Sequence, residues 1–262
     1  MATQTKVVSR TEYLAQRLRL LDLEKAHTRQ SDELAKLRRE LPVVQVLEQY
    51  TFTTLDGAGN KITVALDDLF DGRPQLIIYH FMFDPEADAA CPSCTLFGDH
   101  IPPLQHLNSH NTSFAAVSRA PMDKIQSYKD RLGFTFPWLS SHGSSFNYDF
   151  NVTTDPAIKP VSYNFLDEDQ LKQRNIHQFF GKGEQPGTSV FIKGGFGIGE
   201  EGKIYHTYST YARGGEKQIG TLLWLDLTLL GRQDQRTDGL GYKRRDEYTP
   251  QDLRPTASVT FI

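Results

Sequence analysis

Cys91 and Cys94 are the only two cysteines among 262 residues, and they are spaced as Cys91-Pro92-Ser93-Cys94. A disulfide framework spreads its cysteines, and a bridge closing so small a loop constrains the unfolded chain little. The pair therefore reads as chemical, serving thiol–disulfide exchange or metal ligation. Both uses need the thiolate. A thiolate forms most readily at a helix start, against unpaired N–H groups and the positive end of the helix dipole. Pro92 suits such a start, because an amide hydrogen in the first helical turn has no partner to lose.

The elements that must position this pair can be read on either side of it. Residues 76–83, Leu76-Ile77-Ile78-Tyr79-His80-Phe81-Met82-Phe83, are short, rich in β-branched and aromatic residues, and stopped by Asp84-Pro85. They predict a strand buried on both faces. After the pair, Leu96, Ile101, Leu104 and Leu107 predict a helix interrupted at Pro102-Pro103. A strand leading into C-x-x-C at a helix start is the thioredoxin-type dithiol arrangement. Phe114-Ala115-Ala116-Val117-Ser118 predicts a second buried strand. A helix carrying Ile125, Tyr128 and Leu132 then runs to Gly133. Strand, helix, strand, helix means a parallel pair with a right-handed crossover, whose strand ends share one sheet edge. That edge brings Ser118 and Arg119 beside the cysteine loop. Arg119 is then either a cation that lowers the thiolate pKa or holds an anionic substrate, or a surface ion pair.

Further out, residues 11–41 predict helix, with Thr11 as N-cap, Leu14, Leu18 and Leu21 on one face, and a second start at Ser31-Asp32-Glu33 before Leu34, Leu37 and Leu41. Pro42 ends it. Tyr50 to Thr53 and Ile62 to Val64, around Asp56-Gly57-Ala58-Gly59-Asn60, predict a hairpin. Residues 134–165 are rich in aromatic residues, read as packing. Thr188 to Ile192 and Lys203 to Tyr208 predict an antiparallel pair joined by Gly194 to Gly199, which match a dinucleotide fingerprint only superficially because no helix follows them. A helix is expected from about Glu216 to Leu230. The fold class is α/β, an elaborated thioredoxin-like fold with a central mixed sheet flanked by helices. The expected divisions are an N-terminal helical extension (1–48), the thioredoxin-like domain (49–231) with an aromatic-rich insertion (about 134–186), and a C-terminal tail (232–262). The tail is read as irregular, covering a partner or partly disordered.

A net charge of −3 gives no electrostatic case for nucleic-acid or membrane binding. No stretch approaches the roughly 20 apolar residues of a membrane span, and the amino terminus lacks a secretory apolar core. The expectation is a cytoplasmic protein, where a C-x-x-C pair is kept reduced or cycles.

Several stretches together carry a family resemblance. They are Tyr79-His80-Phe81-Met82-Phe83 with Cys91-Pro92-Ser93-Cys94, Ala116-Val117-Ser118-Arg119-Ala120-Pro121, Phe136-Pro137-Trp138 with Ser140-Ser141, Phe146-Asn147-Tyr148-Asp149-Phe150, Phe191 with His206-Thr207-Tyr208-Ser209-Thr210-Tyr211-Ala212-Arg213-Gly214, and Leu225-Asp226-Leu227-Thr228 with Gly231-Arg232. The set resembles the DUF899 family of thioredoxin-like proteins, usually described as predicted dithiol–disulfide oxidoreductases, over about residues 11 to 235. The resemblance implies the thioredoxin-like fold and, more weakly, the chemistry. Two stretches depart from it: Asp84 to Ala90 lacks an expected glycine-containing turn, and the loop from Lys193 to Gly202 is longer than usual. A thioredoxin fold also has a cis-proline before a strand facing the dithiol, and Pro186, slightly early, is the only candidate.

The leading expectation is thiol–disulfide exchange. Cys91 attacks, Cys94 resolves, Arg119 assists, and Ser118, Tyr208, Tyr211 and Arg213 line the substrate edge. No cofactor is then needed. The partners are a cellular thiol reductant or a disulfide substrate, and a homodimer is compatible with the sequence. One alternative is a copper or zinc site made by Cys91, Cys94, His80 and His206, with His100 and His106 further along the chain. Another is a non-catalytic binding scaffold using Tyr208, Tyr211 and Arg213.

Overall fold

The computed structural model describes residues 6–176, 181–195, 197–233 and 242–253. The rest of the expected tail, 234–241 and 254–262, lies outside the described residues. The chain divides into two compact units, one holding residues 1–42 and the other Val43–Leu253.

The first unit is built on one helix, α1 (Arg10–Arg39). Its N-cap is Ser9 rather than Thr11: Ser9 Oγ accepts the Glu12 N–H at 3.3 Å, and the Glu12 carboxylate accepts the Ser9 N–H at 2.9 Å. This reciprocal capping box satisfies two amide groups at once. The expected restart at Ser31 does not occur. No proline or glycine stands between Arg10 and Leu41, and Ser31 and Asp32 inside a helix cost only tenths of a kcal/mol, ~0.5 or so each.

In the second unit the elements follow as β1 (Val44–Gln45), β2 (Thr51–Leu55), β3 (Lys61–Ala65), a 3-10 turn (Asp68–Phe70), β4 (Gln75–His80), α2 (Pro92–Gly98), α3 (Leu104–Asn108), β5 (Thr112–Ser118), α4 (Met122–Leu132), β6 (Trp138–Ser140), α5 (Phe146–Asp149), β7 (Thr153–Thr154), β8 (Ser162–Tyr163), β9 (Leu166–Asp167), α6 (Glu168–Gln173), β10 (Gly183–Glu184), β11 (Gly187–Lys193), β12 (Ile204–Tyr211), a second 3-10 segment (Ala212–Gln218) and α7 (Gly220–Leu225). Eight strands form one mixed sheet in the order β1-β12-β11-β4-β5-β6-β2-β3. β4, β5 and β6 run parallel, and β11 lies antiparallel to β4 with Gly187 opposite His80. The fold is the elaborated thioredoxin-like one the sequence predicts.

Alternation along β4 splits the core in two. Leu76 and Ile78 pack with Phe52, Phe70, Val117, Phe146 and Phe191 on one face. Tyr79, continuing into Phe81, packs with Cys94 and Phe97 of α2, Ile125 of α4 and Trp138 on the other. The helix expected over 216–230 is shorter. Ile219 has extended backbone (φ −100°, ψ 93°), which separates the 3-10 segment from α7. Gly214, Gly215 and Gly220 weaken helix in this stretch.

Candidate active site

The parallel strand β4 ends at the sheet edge, and the chain loops out through Asp84–Ala90 before returning at Cys91. Cys91 is the N-cap of α2, with Pro92 in its first turn. Met82 ties the loop shut from both of its backbone sides. Its carbonyl accepts the Cys91 N–H at 3.0 Å, and its own N–H donates to Cys94 Sγ at 3.4 Å. Thr95 Oγ1 donates to the Cys91 carbonyl at 2.9 Å and lies 2.7 Å from the Tyr128 hydroxyl. The backbone N–H and carbonyl of Cys91 are thus both held by named partners.

The two sulfurs sit in different environments. Cys91 is half-buried and Cys94 is buried. Cys91 is pushed down to about 6: the Cys94 side chain donates a hydrogen bond to it, the N–H groups of Cys94 and Ser93 point at it, and the Arg244 guanidinium attracts its charge, all against the opposing cost of burial. Cys94 moves the other way. Burial raises it well above the ordinary thiol value, and the hydrogen bond and charge of Cys91 add to that, opposed by hydrogen bonds from Tyr79 and the Met82 N–H. Tyr79 is itself held protonated, chiefly by burial and then by the charge at Cys94, so it is a donor and not a base. Its ring stacks on Phe97 with centroids 3.7 Å apart.

Arg244 arrives from the C-terminal segment. Its Nη2 and Nε donate to the Ala90 carbonyl at 2.6 and 3.0 Å, directly before Cys91, while its Nη1 pairs with Glu247 at 2.8 Å. The segment is fastened by Arg131, which pairs with Asp246 at 2.5 Å and with Glu247 at 3.2 Å, and by an Arg245–Asp99 ion pair. Sequence reading passed over Arg244, which is 154 positions from Ala90 in a segment with no periodic pattern. Strand alternation already sets the Tyr79 face opposite that of His80, which is the signal in the sequence that could have found it.

The expected site residues part ways. Arg119 is engaged by Glu184 at 2.7 Å and stacks on Tyr148 with 4.8 Å to the ring centroid. Glu184 also accepts from Thr153 at 2.7 Å. The cation acting on Cys91 is Arg244. Ser118 is fully buried, donating to the Phe81 carbonyl at 2.7 Å and accepting from Trp138 Nε1 at 2.9 Å. Its hydroxyl joins strand to core. Tyr211 and Arg213 line a cavity of about 370 Å³ beside Cys94, together with Tyr79, Met82, Phe97 and Pro186. Tyr208 is half-buried on β12 opposite Val190 and is not in that wall. Pro186 stands just before β11, and no peptide bond among the described residues is cis.

The metal-site alternative does not assemble. Among the described residues no group of three or more His, Cys, Asp or Glu side chains could hold a metal ion. His80 follows Tyr79 by one position and faces Phe146 and Phe150, away from the cysteines. It bonds Ser189 Oγ at 2.8 Å, Ser189 bonds Ser209 at 2.8 Å, and Ser209 bonds His206 Nε2 at 2.8 Å. The two histidines are the ends of one polar chain in which His80, Ser189 and Ser209 are buried and His206 is half-buried. Burial holds His80 neutral, down to about 3, with the charge of His206 adding to the effect. His100 bonds Thr221 at 2.7 Å, and His106 is in α3.

A mixed sheet with a cysteine pair at the start of the helix after its central strand defines a thioredoxin-like protein with a dithiol site. The chain belongs to the DUF899 family, described as bacterial proteins of unknown function, whose model matches residues 2–248. No curated protein matches it. Solved structures similar to it include the bacterioferritin comigratory protein of Xanthomonas campestris, studied for alkyl peroxide reduction, at 16% identity and TM-score 0.40, covering 69% of this chain and 97% of that one. Peroxidoxin BcpB of Mycobacterium tuberculosis aligns at 14% identity and TM-score 0.40, covering 70% and 98%. The mitochondrial 2-Cys peroxiredoxin of Plasmodium falciparum aligns at 13% and 0.41, covering 71% and 97%. No helix among the described residues is long and apolar enough to cross a membrane.

Proposed function

We propose that this protein is a dithiol–disulfide oxidoreductase, with Cys91 as nucleophile and Cys94 as resolving thiol. The observation that carries the reading is the unequal placement of the two thiols: Cys91 half-buried at the N-cap of α2 and pushed down to about 6, Cys94 buried behind it and pushed up. At neutral pH Cys91 is mostly thiolate, the reactive form. It attacks one sulfur of a disulfide substrate; the substrate S–S bond breaks, a mixed disulfide forms, and one thiolate leaves. Cys91 then carries no charge and no longer accepts the Cys94 hydrogen bond. Two of the influences that kept Cys94 protonated are gone, and Tyr79 and the Met82 N–H remain to stabilise its thiolate. Cys94 loses its proton to solvent or to the departing thiolate and attacks Cys91. The mixed disulfide breaks, and the second substrate thiolate is released. The substrate gains two electrons and the protein disulfide forms. A cellular thiol reductant closes the cycle by the same exchange in reverse, and the cytoplasm, which holds such reductants, is the compartment that fits.

The test is disulfide reductase turnover with a thiol reductant, alongside thiol titration. Reversible conversion of two thiols to one disulfide is expected. Cys91→Ser abolishes turnover, and Cys94→Ser halts at a mixed disulfide on Cys91. Turnover that survives Cys91→Ser, or a pair that will not oxidise reversibly, sinks the reading.

A further inference from the structure

The cavity beside the dithiol has a chemical character of its own. Its volume of about 370 Å³ is that of a small-molecule site. Met82, Phe97, Ile219 and Leu222 give it apolar walls, and the Cys94 thiol with the Thr188 and Thr210 hydroxyls supplies uncharged polar points. The charges at its border are spoken for. Arg213 pairs with Glu216 at 2.8 Å, and Arg232 pairs with Glu216 at 3.0 Å and Asp226 at 2.7 Å. An anionic ligand therefore meets arginines whose charge is already matched by carboxylates, and deeper in the apolar chamber its own charge finds no counter-ion. The apolar character extends along α7: Leu222 is buried, while Leu223 and Trp224, next in the same helix, are 47% and 73% exposed.

We propose that this cavity binds the uncharged, apolar body of the disulfide that the site reduces, and discriminates against carboxylate-bearing disulfides. The proposal rests on the dithiol reading above, and the cavity supplies what that reading lacks, a substrate class. Placing an apolar group against Phe97 and Leu222 removes its surface from water, which is favourable in proportion to area. The same placement costs a charged group its hydration without offering an unclaimed counter-ion.

Two aromatic disulfides test it: the neutral dithiodipyridine and the dianionic dithiobis-nitrobenzoate. Each is reacted with the reduced full-length protein, and the ratio of initial rates is divided by the same ratio for a free thiol at the same pH, so that intrinsic reactivity cancels. The protein is expected to favour the neutral compound by about tenfold or more beyond the free thiol. Leu222→Lys supplies the wall with the counter-ion it lacks, and Ile219→Trp fills the chamber without a charge; both should return the ratio towards that of the free thiol. Trp224→Lys, on the exposed side of α7, should leave it in place. A wild-type ratio equal to that of the free thiol overturns the proposal. So does a preference that persists in folded Leu222→Lys and Ile219→Trp, or one lost only in Trp224→Lys. Turnover with a thiol reductant is read separately. If it is absent while the preference persists, the redox cycle fails and the cavity assignment does not.

Discussion

At the scale of single residues the site is a pair of identical side chains made unlike by their surroundings. The first proton lost belongs to the pair, and it leaves mainly from Cys91 because Cys94 donates to the resulting thiolate. Alkylation of the reduced protein should therefore follow a midpoint near pH 6, with Cys94 silent until strongly alkaline pH. Cys94→Ala removes the largest stabilising partner and should move that midpoint up towards the ordinary thiol range near 9, read from rate against pH. The sign for stability follows. A folded-state pKa below the unfolded one gives stabilisation that is fully present above about 9 and fades as pH falls through about 6. Cys94→Ala should flatten that slope between pH 6 and 8 in denaturant titrations of reduced protein. Tyr79→Phe should act one step later. Loss of its hydrogen bond raises Cys94 further and should slow resolution by about tenfold or more, the scale of a hydrogen bond to a charged group, so the mixed disulfide on Cys91 should accumulate.

At the scale of elements, what was legible was local. The apolar run of β4, the punctuation at Asp84-Pro85, the proline after Cys91 and the repeat of Ile125, Tyr128 and Leu132 in α4 each fix their element within a few residues, so the βαβα frame around the dithiol could be read directly. Arg119 does sit at the end of β5, as the crossover argument requires, but its partner Glu184 is in β10, and nothing local announces a contact 65 positions away. Arg244 is further still. Its two hydrogen bonds to the Ala90 carbonyl make it a strap across the loop that presents Cys91. Arg244→Ala should raise the Cys91 midpoint, and by less than Cys94→Ala does, because the Arg244 charge is the smaller influence. Arg244→Lys keeps the charge without the paired donors, and should fall between wild type and alanine. An unchanged midpoint in Arg244→Ala would mean the strap is structural only. Gly187, opening β11, is an element-scale constraint of another kind. A Cβ there would meet the Tyr211 ring at 2.8 and 3.0 Å and Val152 at 3.2 Å. Gly187→Ala should overpack that wall of the cavity, costing about 1–3 kcal/mol by chemical denaturation.

At the scale of the whole molecule the chain joins two bodies of unequal kind. The three core clusters all lie between Tyr50 and Tyr211, inside the unit Val43–Leu253. α1 contributes no buried residue. Its order comes from local terms: the Ser9–Glu12 capping box, pairs such as Arg17–Glu24 at 2.8 Å, basic Lys36, Arg38 and Arg39 in its last turn, and a length of 30 residues that outgrows the cost of nucleation. The sequence shows this helix through Leu14, Leu18 and Leu21 on one face and the stop at Pro42, yet none of those leucines is buried, and the capping box at Ser9 is what starts it. A core removed from water, by contrast, draws its stability from apolar area, of order 25 cal/mol per Å². A chain beginning at Val43 should therefore keep the free energy of denaturant unfolding to within about 0.5 kcal/mol, the usual scatter for changes away from a core. It should also keep the Cys91 alkylation midpoint near pH 6. A loss of several kcal/mol on truncation would show that α1 is an integral part of the folded body. A shifted Cys91 midpoint at unchanged stability would instead make the N-terminal unit a participant in the chemistry of the dithiol.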